Sequence, residues 1–174
     1  GISVNVTLIF SLERYGEVID AFIEGIKLAD TGGKDLSQIH SVASFFISRI
    51  DSAVDKELKA LGNQELLGKI AIANAQRAYA LFLEKFAQSS WKALASKGAL
   101  VQRPLWASTG VKDPAYPDTV YVDKLIAAQT VNTMPQSTLD AFLDHGVVES
   151  TAITAHLDSA AHVLSLLAAL GISL

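Results

Sequence analysis

The sequence predicts an α/β protein built on a parallel sheet, and three observations point that way. Short β-branched, apolar runs alternate with segments of helical period four times along the chain. The second run, Ile39 to Phe46, is apolar on both faces, as suits a parallel strand covered by helices. Polar residues gather at the carboxyl ends of these runs, where parallel α/β architectures hold their ligands. Periodicity leaves two arrangements open, a doubly wound sheet and part of a barrel.

Ile2 to Phe10 alternates and is rich in Val, Ile and Thr, so it predicts the first strand. Ser11 is positioned to cap a helix carrying Tyr15, Val18, Ile19, Phe22, Ile23 and Ile26 at three- and four-residue spacing. Thr31 to Asp35 predicts a loop, and Ile39 to Phe46 the second strand. Ile50, Val54, Leu58 and Leu61 then share one helical face that ends at Gly62. A longer helix is expected from Glu65 to Phe86, with Ile70, Asn74, Ala78, Phe82 and Phe86 near register, and a short one around Trp91 that stops near Gly98. Leu105 to Ser108 predicts a very short third strand, followed by a Gly/Pro/Asp-rich loop through Asp118 and a brief helix near Tyr121. Thr130 to Thr133 predicts the fourth strand. Pro135 opens a helix bearing Leu139, Phe142 and Leu143, and a last helix runs from Ala155 to Leu170, stopped by Gly171.

Composition narrows the function. The 174 residues suffice for one domain, taken as 1–174, and half of them are hydrophobic. A net charge of -4 without any Lys/Arg cluster argues against nucleic acid or an anionic membrane as partner. The absence of cysteine excludes disulfides and thiolate metal sites and suits a reducing, cytoplasmic setting. No HExxH, P-loop or dinucleotide glycine pattern occurs, and His156 and His162 are not at a one-face metal spacing, so neither metal nor cofactor is expected. The most apolar stretch, Val163 to Leu174, is too short to span a bilayer. No secretory signal pattern is visible. The chain opens without Met inside a strand-like run, which reads as a processed or cut start.

The residues able to do chemistry sit near strand ends. Asn5 and Thr7 lie two apart on a strand and therefore point to one face. An inward amide and hydroxyl either bind something polar or hydrogen-bond to neighbouring strands. Arg49 lies just beyond the second strand, close to Ser44, where a guanidinium takes a phosphate through two parallel bonds; the alternative is a surface ion pair with Asp51 or Asp55. Ser108 ends the third strand and Lys112 follows in its loop, either as a point charge for an anion or as a solvated lysine.

Four stretches carry a family resemblance: Gly1-Ile-Ser-Val-Asn5-Val-Thr7-Leu-Ile-Phe-Ser11, Ser41-Val-Ala-Ser44-Phe-Phe-Ile-Ser-Arg49, Arg103-Pro-Leu-Trp106-Ala-Ser108-Thr-Gly-Val-Lys112 and Thr130-Val-Asn132-Thr133-Met134-Pro135. In that order they resemble strands five to eight of bacterial transaldolases, Schiff-base barrel enzymes of the pentose phosphate pathway. The resemblance covers nearly the whole chain. It implies part of a TIM (β/α)8 barrel, four C-terminal βα units. It also implies transfer of a dihydroxyacetone unit between sugar phosphates, with Asn5 orienting substrate, Thr7 holding the proton-relay water, and Ser44, Arg49, Ser108 and Lys112 binding substrate and its phosphate. Many transaldolases carry an arginine shortly after the matching Ala-Ser; here the positive charge arrives at Lys112.

A Schiff-base lysine must be partly buried so that its neutral amine is available. None of the ten lysines falls in a predicted strand. In transaldolases the nucleophile lies on strand four, which would precede Gly1, so the resemblance implies a chain that supplies substrate and phosphate contacts without the nucleophile. A four-stranded piece of barrel exposes two edges, which predicts pairing with a complementary N-terminal half-barrel or with a second copy. A non-catalytic sugar-phosphate-binding or assembly module is the alternative reading.

Overall fold

The computed structural model describes residues 2–174; Gly1, the start of the first motif, lies outside them. Its elements run β1 (Val4–Ile9), α1 (Leu12–Thr31), a 3-10 turn (Leu36–Gln38), β2 (Ser41–Phe46), α2 (Ser48–Ala60), α3 (Ile70–Phe86), α4 (Ser89–Ala95), β3 (Arg103–Ala107), α5 (Val120–Asp123), β4 (Val131–Asn132), α6 (Gln136–His145) and α7 (Leu157–Ala169). The four strands form one sheet in the order β1-β2-β3-β4, every neighbouring pair parallel. Sequential, all-parallel order is what consecutive right-handed βα units produce.

Local signals account for most helix ends. Ser11 caps α1 by accepting the Arg14 N–H at 3.3 Å, a contact that stabilises such a helix by about 1 kcal/mol. Gly62, at φ 73°, takes the left-handed turn that stops α2. Pro135 stands immediately before α6 as predicted. The 65–86 helix begins later than predicted, at Ile70, because Glu65 to Lys69 form turns, and α7 begins at Leu157. β3 runs Arg103–Ala107, ending one residue short of Ser108, and β4 is only Val131–Asn132.

Ala43, Phe45 and Trp106 form the buried centre of the sheet. Phe45 meets the Tyr15 ring of α1 edge-on at 5.5 Å and the Trp106 ring at 6.2 Å. Trp106 is fully buried and satisfies its indole by donating to the Leu125 carbonyl at 3.0 Å. Trp91 is buried against Phe86 and Phe22, so both tryptophans are packing residues. Helix α3 packs against α1, α2, α4 and α7, which explains its burial on several faces.

One expectation fails in β1. Val6 pairs with Ala43 but Ile9 pairs with Phe45, three residues against two, so the register shifts at Thr7 and Leu8. Leu8 sits at φ 61°, a left-handed conformation rare for a branched side chain. A bulge therefore interrupts the uniform alternation that Ile2 to Phe10 suggests.

Candidate functional site

β1 and β2 bring the first two candidate residues together. Ser44, buried, donates its hydroxyl to Asn5 Oδ1 at 2.7 Å. That bond occupies the amide oxygen and leaves the Nδ2 donors of the exposed Asn5 free to meet a ligand oxygen. Thr7 is exposed beside the bulge and makes no side-chain hydrogen bond among the described residues. Asn5 also borders a cavity of about 850 Å³ with Val42 and Arg103, at the amino-terminal side of the strands.

The ends of β2 and β3 are stitched by a pair that sequence reasoning missed. Ser48, the first residue of α2, donates its backbone N–H to the Ser108 carbonyl at 3.0 Å, and the two Oγ atoms lie 3.0 Å apart. Ile47 N–H donates likewise to the Ala107 carbonyl at 3.0 Å. Ser108 takes φ 58°, the left-handed region, immediately after β3. The only sequence signal for Ser48 was its place one residue before Arg49.

Arg49 is exposed, with its guanidinium carbon 4.8 Å from the Phe46 ring centroid, a cation–π contact that orients the head group. It makes no ion pair among the described residues. The alternative pairing with Asp51 or Asp55 does not occur, because those carboxylates are engaged elsewhere. Asp51 accepts from Ala71 N–H at 2.8 Å and from the Tyr121 hydroxyl at 2.6 Å. Asp55 accepts from Gly68 N–H at 3.1 Å and from the Tyr116 hydroxyl at 2.6 Å.

Lys112 is exposed and borders a second cavity, about 490 Å³, with Ser48, Ser52, Lys56 and Tyr116. Ser48 and Lys112 thus share one opening, whereas neither Ser108, which reaches it only through its contact with Ser48, nor Arg49, which faces Phe46, is among the residues lining it. The fourth motif is tied in through Thr109, whose hydroxyl donates to Asn132 Oδ1 at 2.7 Å. Asn132 therefore braces the loop after β3 and does not cap the helix that follows.

Burial pushes the Asp51 carboxyl up, from 3.8 to about 6, against the opposing pull of its Tyr121 and Ala71 hydrogen bonds. Burial and the adjacent carboxylates hold the Tyr116 and Tyr121 phenols well above their ordinary range, so both remain donors. None of the ten lysines lies on a strand and none is buried. Among the described residues no group of three or more His, Cys, Asp or Glu is arranged to hold a metal, and no helix is long and apolar enough to cross a membrane.

Consecutive parallel βα units with polar side chains collected at their strand ends define the architecture from which (β/α)8 barrels are made. The chain belongs to the transaldolase/fructose-6-phosphate aldolase family, which it matches over residues 1–174. It is 60% identical over 176 residues to a transaldolase of Renibacterium salmoninarum, covering 99% of this chain and 47% of that protein. It is 58% identical over 176 residues to a transaldolase of an Arthrobacter species, with 99% and 47% covered. A transaldolase of Thermobifida fusca is 56% identical over 177 residues, with 100% and 48% covered. The chain spans about half the length of the curated relatives it matches. Its four-stranded parallel sheet is accordingly part of a TIM barrel.

Proposed function

We propose that this chain forms the sugar-phosphate-contacting part of a transaldolase, which moves a dihydroxyacetone unit from a ketose phosphate to an aldose phosphate through a Schiff base. The family match over the whole chain is the observation that carries this reading. Asn5, oriented by Ser44, donates its amide to a substrate hydroxyl. Thr7 holds the water that relays protons during Schiff-base formation. Arg49, whose exposed side chain has to leave the Phe46 ring to reach the Lys112 opening, supplies a guanidinium fork for the phosphate, with Ser108 and Lys112 completing the anion contacts. The amine that attacks the substrate carbonyl comes from a lysine outside these residues, since no lysine here lies on a strand. A complementary half-barrel supplies that lysine and covers the free edges of β1 and β4. The absence of a disulfide-forming residue suits the cytoplasm.

The absence of any buried lysine also favours a second reading, a sugar-phosphate-binding or assembly module that does not turn substrate over. Calorimetric titration with fructose 6-phosphate, for the parent and Arg49→Ala, tests what both readings share. Binding that weakens about tenfold or more in the variant is expected for loss of a charge-assisted phosphate contact. Equal affinity in the two proteins contradicts the assignment of Arg49. Turnover upon mixing with a polypeptide bearing the strand-four lysine separates the enzyme from the module.

A further inference from the structure

We propose that Tyr116 and Tyr121 are positioning residues that hold the Lys112-bearing loop against α2, so that its ammonium is kept at the opening the two share, where an anion docks. The proposal rests on the phosphate role of Lys112 given above. Asp51 and Asp55 lie one turn apart on α2, and each of their four oxygens accepts one hydrogen bond. Two of the donors, Gly68 and Ala71 N–H, belong to the entrance of α3. The other two, Tyr116 and Tyr121, flank the end of the segment that leads from Lys112 into α5. Two carboxylates thereby fasten three separate stretches of chain.

Like charges one helical turn apart are destabilising on their own, and burying carboxylates adds to the penalty. Short bonds from neutral phenols satisfy both groups and give a directional tie that a solvated ion pair lacks. The Tyr116 ring is seated with little tolerance: Gly68 takes φ 68°, and a Cβ there would lie 2.8 Å from the ring. Lys59 adds a bond to Asp113 at 3.1 Å, on the residue after Lys112. The opening of about 490 Å³ has Ser48, Asp51, Ser52, Asp55, Lys56 and Lys59 on its α2 side and Lys112 to Pro114 on the other, with both carboxylates occupied by their phenol and backbone donors, so these ties set its width. A lysine has no rigid fork of its own and binds phosphate as a point charge, so its placement must come from the backbone that carries it.

The test is calorimetric titration of the full chain with inorganic phosphate and with fructose 6-phosphate at fixed ionic strength. The variants are Lys112→Ala, Tyr116→Phe, Tyr121→Phe, and Tyr116→Phe combined with Lys112→Ala. Lys112→Ala is expected to weaken binding. Tyr116→Phe is expected to weaken it roughly three- to tenfold, and to add nothing once Lys112 is gone, as coupled residues behave. Tyr121→Phe keeps the question answerable where Tyr116→Phe fails to fold. Unchanged affinity in both tyrosine variants, with Lys112→Ala weakened, overturns the positioning role and leaves the phosphate reading standing. Equal weakening by Tyr116→Phe with and without Lys112 overturns it too. No effect of Lys112→Ala overturns both.

Discussion

Ser48 and Ser108 meet twice, through a 3.0 Å backbone bond and through hydroxyl oxygens 3.0 Å apart, and so join the start of α2 to the end of β3. Ser108 is held in a left-handed conformation, φ 58°, at this junction. A non-glycine residue there stores about 1 kcal/mol or more of backbone strain. Strain of this kind persists where surrounding bonds over-determine the backbone, and the two contacts to Ser48 are such bonds.

Ser108→Gly therefore has two opposed effects on stability. Relief of the left-handed strain offsets loss of the hydroxyl pair, each about 1 kcal/mol, so the melting temperature is expected to move little. Affinity for fructose 6-phosphate is expected to fall, because the hydroxyl proposed above as an anion contact is gone. A large drop in melting temperature with unchanged affinity, read by thermal denaturation and calorimetry, would assign Ser108 to structure alone.

Gly68→Ala is expected to destabilise the fold by roughly 1–3 kcal/mol in urea denaturation. Two causes add: a side chain at φ 68° is strained, and its Cβ would lie 2.8 Å from the Tyr116 ring. The Tyr116→Phe background does not remove either cause, since the ring remains. A neutral or stabilising substitution would show that the Tyr116 ring is not seated on Gly68.

Asp51 gives a pH dependence of defined sign. Its folded value of about 6 lies above the ordinary 3.8, so between those values the native state binds more protons than the unfolded chain. The group's contribution to stability is fully present below the unfolded value and is lost as pH rises through about 6. Relative to Asp51→Asn, whose amide can still accept from Ala71 N–H, the parent is expected to lose about 2 kcal/mol between pH 4 and 7. Denaturation of both proteins at each pH checks this. A difference that is flat, or that grows in the parent's favour with pH, contradicts it.

The sheet was legible because its signals are local: β-branched runs, glycine stops and the Ser11 cap each act within a few residues. The site was legible only in part. Asn5 and Ser44 meet because neighbouring parallel strands bring their side chains together, which a strand pattern anticipates. The bulge at Thr7 and Leu8 was not readable, since Leu8 is an ordinary strand residue and its φ of 61° answers to the register with β2. The Asp–Tyr ties were missed for another reason. Asp55 and Tyr116 are 61 residues apart, and Asp51 and Tyr121 are 70 apart, so no periodicity links them. An acidic pair at four-residue spacing, on the same helix as Val54 and Leu58, was the one available hint; solvated it would be unremarkable.

The central claim is that this chain binds sugar phosphate without carrying the Schiff-base nucleophile. The most direct measurement is the intact mass of the purified chain after borohydride reduction in the presence of fructose 6-phosphate. The expected result is an unchanged mass, because none of the ten lysines is buried or placed on a strand. A stoichiometric adduct mapped to a single lysine of this chain would contradict the account.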